Sequence, residues 1–91
     1  MEKIAQKIRV TGRVQGVFFR DSTRQQAETQ RLTGYAANLN DGSVEILLQG
    51  EPEAVEKVLF WIKAGGPPAA RVDSVTCVSC ALQETGGFTV R

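Results

Sequence analysis

The chain contains no histidine, and this absence excludes several chemistries at once. A Ser–His or Cys–His nucleophilic couple, an imidazole base and a His-ligated metal all require that side chain. If the protein is an enzyme, its chemistry must use arginine, asparagine, carboxylates, thiols or main-chain groups. No cluster of hard or soft metal ligands is visible either, so we expect no metal and no cofactor.

Long apolar runs and a strong net charge are also missing. No uninterrupted apolar segment approaches the roughly 18 residues of a membrane helix, and the opening M-E-K-I-A-Q-K lacks the apolar core of a signal peptide. The net charge of +1 gives no electrostatic reason for binding nucleic acid or an anionic membrane. We therefore expect a cytoplasmic protein, folded as one domain over residues 1–91, with neither nucleic acid nor membrane as a partner. We also expect a monomer, although the sequence leaves the oligomeric state open.

Cysteine is scarce, and the two that occur are Cys77 and Cys80. Their C-x-x-C spacing is compatible with a redox or zinc site. However, the surrounding V-D-S-V-T-C-V-S-C is rich in β-branched and small residues and predicts a strand. Residues i and i+3 of a strand point to opposite faces, roughly 10 Å apart, which is too far for a disulfide. We interpret both cysteines as small strand residues without a chemical role.

The pattern of apolar residues predicts the order of elements. Alternation of apolar and polar residues predicts strands, although Gln6 interrupts the apolar face of the first one, and Val55, Val58, Leu59 and Ile62 form a helical stripe. Asn40-Asp41-Gly42 predicts a hairpin turn. In chain order the predicted elements are strand 4–10, helix 22–31, strand 35–39, strand 44–49, a helix opened by Glu51-Pro52, strand 71–80 and a short strand around residues 88–90. This β-α-β-β-α-β order is typical of the α+β ferredoxin-like sandwich, an antiparallel sheet with two helices on one face.

The segment 12–20, reading G-R-V-Q-G-V-F-F-R, lies between the first strand and the first helix. A turn that contains glycine lets main-chain N–H groups converge, and a helix N-terminus behind it favours an anion. Arg20 would add a planar, permanently charged fork suited to phosphate oxygens. The pattern thus suggests a phosphate cradle, although it is also compatible with a plain connection. It matches neither a Walker loop nor a dinucleotide fingerprint.

A second candidate is Asn38, which ends the predicted strand before the hairpin. An asparagine in this position commonly satisfies neighbouring backbone groups. Its amide could instead position a water molecule or a ligand. Asp21, beside Arg20, is the carboxylate nearest to the cradle, and we interpret it as a solvated residue or helix cap and not as a general base.

Taken together, these segments resemble the acylphosphatase family. The first looks like its phosphate-binding loop, and G-Y-A-A-N-L-N-D-G-S-V-E-I-L-L-Q-G, residues 34–50, looks like its second signature. A-R-V-D-S-V and G-F-T-V-R near the end fit as well. The family often ends its first helix with a glycine, where this chain has Gln30-Arg31, so the sequence leaves the form of that helix end open.

The resemblance implies hydrolysis of an acyl phosphate to a carboxylate and inorganic phosphate, without metal or covalent intermediate. It assigns Asn38 to the attacking water and a group of loop residues to the phosphoryl group. The product, inorganic phosphate, is expected to inhibit competitively. The phosphate-binding residues implied are Gln15, Gly16, Val17, Phe18, Phe19 and Arg20.

Two other functions remain possible on the same fold. An RNA-binding module would stack bases on aromatic residues of the first and third strands, yet segments 4–10 and 44–49 contain none. An anion sensor would keep the cradle without turnover, and the residues alone do not exclude it.

Overall fold

The structure is a computed structural model, and it describes residues 2–91. Seven elements follow one another in the predicted order, which confirms the ferredoxin-like α+β architecture. None of the helices in this described range is long and apolar enough to cross a membrane. The elements are β1 (Ile4–Arg13), α1 (Phe19–Thr29), β2 (Thr33–Asn38), β3 (Val44–Gly50), α2 (Pro52–Lys63), β4 (Arg71–Cys80) and β5 (Phe88–Val90).

The five strands form one sheet in the order β4-β1-β3-β2-β5. The first three neighbouring pairs in this order are antiparallel, as predicted. Ile46 of β3 lies opposite Ile8 on one side and opposite Ala36 on the other. The short β5 differs because it runs parallel to β2. This parallel pairing brings the end of β5 to the end of β2, where Asn38 lies.

One face of the sheet carries the main core and both helices. Alternation along β1 and β3 directs Ile8, Val10, Ile46 and Leu48 to this face, and all four are fully buried. The predicted stripe of α2 packs against them. Pro52 stands in the first turn of α2, where its missing N–H has no helical partner to lose. A smaller cluster of Ala5, Tyr35 and Leu47 occupies the opposite face.

Helix α1 begins at Phe19, three residues before the predicted start, and ends at Thr29. The reason is the buried side chain of Phe19, whose ring centroid lies 6.0 Å from that of Trp61. Thr23 and Ala27 complete the buried stripe, and the Thr23 hydroxyl donates to the main-chain oxygen of Phe19 at 2.8 Å. The second phenylalanine of the loop is therefore also the first core residue of the helix.

The C-terminal end of α1 is a Schellman motif built without glycine. The Leu32 N–H donates to Ala27 at 2.9 Å and the Arg31 N–H donates to Glu28 at 3.0 Å. Both bonds require the left-handed backbone at Arg31, where φ is 59°. Leu32 and Ala27 are buried together, so the motif closes normally although Arg31 bears the strain of a side chain at positive φ.

The two cysteines lie on opposite faces of the sheet, as the strand interpretation predicted. Cys77 pairs with Ile8 and Cys80 with Ala5, whose side chains belong to different faces. Both thiols are free. Partial burial raises the pKa of the Cys77 thiol, which donates to the side-chain oxygen of Gln6 at 2.9 Å.

Candidate active site

The loop between β1 and α1 has the backbone of an anion-binding concavity. Gly16 has φ of 76° and Phe18 has φ of 62° and ψ of 24°, so two left-handed residues alternate with others. Such alternation turns successive N–H groups toward one point. The main-chain N–H groups of residues 15–20 make no hydrogen bond to any residue of the described range 2–91. These six donors are available to an anion.

The conformation of Phe18 is strained. A bulky residue at positive φ costs on the order of 1–3 kcal/mol and tends to occur where function requires it. Here the left-handed backbone leads directly into α1, with Phe18 itself at the cap position and no side chain capping the helix. The uncapped first turn adds its partial positive charge to the concavity.

The side chains of Val17 and Phe19 turn inward to the core, where both are buried. These two side chains anchor the loop in the core. A Cβ atom at Gly16 would meet no neighbouring atom, so glycine is favoured there by its positive φ and not by a lack of space. The loop residues thus contribute main-chain donors, and Arg20 contributes the charge.

Asp21 is not a helix cap, because α1 begins two residues before it. It lies in the first helical turn and forms an ion pair with Arg24, with an Nη2–Oδ1 distance of 2.6 Å. Gln25 also donates to it at 3.3 Å. Both oxygens are thus engaged along the helix, which is the arrangement of a solvated helix residue.

Arg20 and Asn38 meet at one main-chain oxygen. The half-buried Arg20 donates from Nη1 to the oxygen of Arg91 at 2.5 Å, and the N–H of Asn38 donates to the same oxygen at 3.4 Å. Arg91 is held by its own N–H, which donates to Ala36 at 2.8 Å. A guanidinium has five N–H donors, so this contact orients Arg20 and leaves other donors for a ligand.

The side chain of Asn38 is exposed at the end of β2. Alternation places it on the same face as Ala36, which is the face that carries α1. Within the described range, its amide makes no hydrogen bond. It is therefore not the turn-satisfying asparagine of the commoner interpretation, and its donors and acceptor can hold a water molecule.

Gln15 has a contact that sequence reasoning missed. Its side-chain Nε2 donates to the main-chain oxygens of Leu39 at 2.8 Å and Ser43 at 2.9 Å. These two residues flank the hairpin turn just after Asn38. The bonds join the cradle to the hairpin, but their acceptors are main-chain atoms, which leave no signal in a sequence.

Arg91 was likewise not predicted to belong to the site. Its guanidinium lies over the ring of Tyr35, with Cζ 4.0 Å from the centroid, on the sheet face opposite the helices. The Tyr35 hydroxyl donates to Glu45 at 2.8 Å. Burial, and then the bond to Glu45, raise the pKa of Tyr35 to about 12. This cluster holds Arg91 against the sheet while its main chain reaches Arg20.

A cavity of about 240 Å³ opens beside the loop. Its lining combines the polar side chains of Arg20 and Asp21 and the Gly16 backbone with apolar residues. The lining residues are Val14, Gly16, Phe18, Phe19, Arg20, Asp21 and Val90. Within residues 2–91, neither here nor elsewhere are three His, Cys, Asp or Glu side chains grouped so that they could hold a metal ion.

Comparison with known proteins identifies the family. The acylphosphatase family model matches residues 6–90. An acylphosphatase of Photorhabdus laumondii is 46% identical over 91 residues, covering 100% of this chain and 99% of that protein. One of Chromohalobacter salexigens is 59% identical over 79 residues, or 87% of each chain. The structure of an acylphosphatase from Coxiella burnetii superimposes with a TM-score of 0.91 at 37% identity, covering 98% of this chain and 93% of that one. The chain belongs to the acylphosphatase family.

Proposed function

We propose that this acylphosphatase holds the phosphoryl group of an acyl phosphate in the loop of residues 15–20 and with Arg20, and directs water at it with Asn38. As a family member the chain is a hydrolase acting on acid anhydrides. The observation that carries the proposal for the site is the row of six N–H groups near Arg20 that have no partner within residues 2–91. Such donors fit a dianionic phosphoryl group and would stabilise the charge of its transition state.

The reaction needs little covalent chemistry from the protein. The oxygen of a water molecule attacks phosphorus, the bond from phosphorus to the acyl oxygen breaks, and the carboxylate leaves with the bonding electrons. A carboxylate is a good leaving group, so the transition state is loose, and catalysis depends on positioning and charge stabilisation. The water proton goes to a phosphate oxygen of the substrate, so no side-chain base is needed.

Positioning in this site depends on shared anchors. Arg20 and Asn38 are tied to one oxygen of Arg91, and Gln15 ties the loop to the hairpin. These contacts orient the guanidinium of Arg20 and hold the backbone of Asn38 relative to the cradle before substrate arrives. Such preorganisation avoids a reorganisation cost in the transition state.

The reaction has consequences for binding partners. Inorganic phosphate, as the product, should occupy the cradle and compete with substrate. The cytoplasmic location and the monomeric state remain predictions from the sequence, and size-exclusion chromatography with light scattering tests the second.

Release of inorganic phosphate from benzoyl phosphate, followed with and without enzyme, tests the proposal. We expect enzyme-dependent release that EDTA leaves unchanged and that added phosphate inhibits competitively. Phosphate binding without turnover would support the sensor alternative. Strictly noncompetitive inhibition by phosphate would contradict the location of the cradle, and a loss with EDTA that Mg²⁺ restores would contradict the metal-free step.

A further inference from the structure

The side chain of Phe18 has no role in the cradle, yet it projects from the middle of it. Its ring is 81% exposed, although the neighbouring Val17 and Phe19 are buried. The left-handed backbone at position 18 turns N–H groups inward, and glycine would provide that conformation without strain. The need for the conformation therefore explains the backbone but not the phenyl group.

Phe18 is also not an isolated exposed residue, which would need no explanation. Val90, on β5, is 40% exposed and lines the same cavity, together with the buried Val14. The three apolar residues therefore line the same cavity as Arg20 and the Gly16 backbone. Apolar side chains and the anion cradle thus share one cavity.

A substrate of the proposed reaction has the same two-part chemistry. Its phosphoryl group is anionic, and its acyl group is joined to it through one bridging oxygen. With the phosphoryl group in the cradle, the acyl group must lie at the cavity opening. The only groups of suitable chemistry there, within the described residues, are the exposed apolar side chains.

We propose that Phe18 and Val90 form an acyl subsite, which makes this enzyme select acyl phosphates with aromatic acyl groups over acetyl phosphate. The proposal rests on the phosphate-holding role of the loop described above. An aromatic acyl group would stack on the exposed Phe18 ring and remove its apolar surface from water. An acetyl group is too small to cover either side chain and gains little.

The test compares two substrates in each variant. The ratio of kcat/KM for benzoyl phosphate to kcat/KM for acetyl phosphate isolates the acyl group, because damage to the cradle affects both substrates alike. We expect Phe18→Ala to lower this ratio by roughly three- to tenfold. The inhibition constant of inorganic phosphate, which has no acyl group, should stay within about twofold of the wild-type value.

Two further variants separate the subsite from a structural effect. Phe18→Gly removes the ring and the strain together, so the urea midpoint should rise while the benzoyl-to-acetyl ratio falls. Phe60→Ala is the matched control, because Phe60 is 76% exposed on α2 and does not line the cavity. It should leave the ratio unchanged.

The possible failures are distinguishable. An unchanged ratio in both Phe18 variants, with both substrates still turned over, would refute the subsite and leave the proposed function intact. An equal fall in the ratio for Phe60→Ala would also refute it. If the wild-type protein hydrolyses neither benzoyl phosphate nor acetyl phosphate, the proposed function itself is refuted.

Discussion

The side-chain amide of Gln15 donates a 2.8 Å hydrogen bond to the main-chain oxygen of Leu39, and thereby joins the phosphate cradle to the strand end that bears Asn38. The same nitrogen donates to Ser43 at 2.9 Å. Both oxygens have a second hydrogen-bond donor besides Gln15. The Leu39 oxygen also accepts from the Gly42 N–H, and the Ser43 oxygen also accepts from the Leu39 N–H. Loss of the amide should therefore loosen the relative position of the two segments more than it destabilises the fold.

For Gln15→Ala we expect kcat to fall by about tenfold, because small displacements of reacting groups slow catalysis strongly. Phosphate affinity should be nearly normal, since the main-chain donors remain. If the residue acts through Asn38, its effect on kcat should largely disappear in the Asn38→Ala background. Fully additive effects in that double-mutant cycle would show that Gln15 acts elsewhere.

Arg20 should be needed for both binding and chemistry. Arg20→Lys keeps the positive charge but loses the planar fork, which donates from Nη1 to the Arg91 oxygen and has further N–H donors for a phosphoryl group. We expect kcat/KM to fall by about 10²-fold or more and phosphate to bind more weakly. Circular dichroism serves as the folding control. Near-normal kinetics would mean that charge alone is sufficient.

Much of this fold could be predicted from the sequence because its signals are local. Alternation identified β1 and β3, and Pro52 and the apolar stripe identified α2. The early start of α1 was missed because Phe18 and Phe19 look alike in sequence, although one is exposed and the other is a core residue. The parallel pairing of β5 depends on long-range register, which three residues do not specify.

In the candidate site, too, some features could be predicted from the sequence and others could not. Arg20 and Asn38 could be named from side-chain chemistry and from the family resemblance. The contacts that orient them could not, because Gln15 and Arg20 bond main-chain oxygens far along the chain, at separations of 24 and 71 residues. Any residue type supplies such an oxygen, so only the folded chain reveals which one is used.

Asn38 should separate chemistry from binding. Its side chain is exposed, and its amide makes no hydrogen bond to the part of the chain that the structure describes. Asn38→Ala should therefore fold normally and bind phosphate almost as the wild type does. Without an oriented water, kcat should fall by about 10²-fold or more. Asn38→Asp should not restore activity, because a carboxylate would repel the phosphoryl group. Measuring phosphate affinity by calorimetry together with kcat shows whether Asn38 acts in chemistry or in binding. Weakened phosphate binding with an unchanged kcat would reverse the assigned role.

Arg31 offers a stability test away from the site. It stands in the left-handed position of the Schellman motif, where a side chain is strained, and its own side chain is exposed. Arg31→Gly should raise the free energy of unfolding by about 0.5–1 kcal/mol, after allowing for the greater freedom of glycine in the unfolded chain. Arg31→Ala keeps the strain and is the matched control. Urea midpoints at constant slope measure both, and equal midpoints for the two variants would contradict the strain.

Tyr35 can be titrated alone, because it is the only tyrosine of the chain. Burial and the bond to Glu45 raise its pKa from 10.0 to about 12, so the native fold favours the neutral phenol. The stability that this preference provides is complete below the unfolded pKa near 10, and it is lost as the pH rises toward 12. Near-ultraviolet absorbance of tyrosinate should therefore show a midpoint near 12 in the native protein and near 10 in urea. Glu45→Gln should lower the native midpoint but keep it above the unfolded one, because burial is the larger cause. A native midpoint equal to that in urea would mean that the Tyr35 hydroxyl is open to water, and that Arg91 is not held over a buried ring.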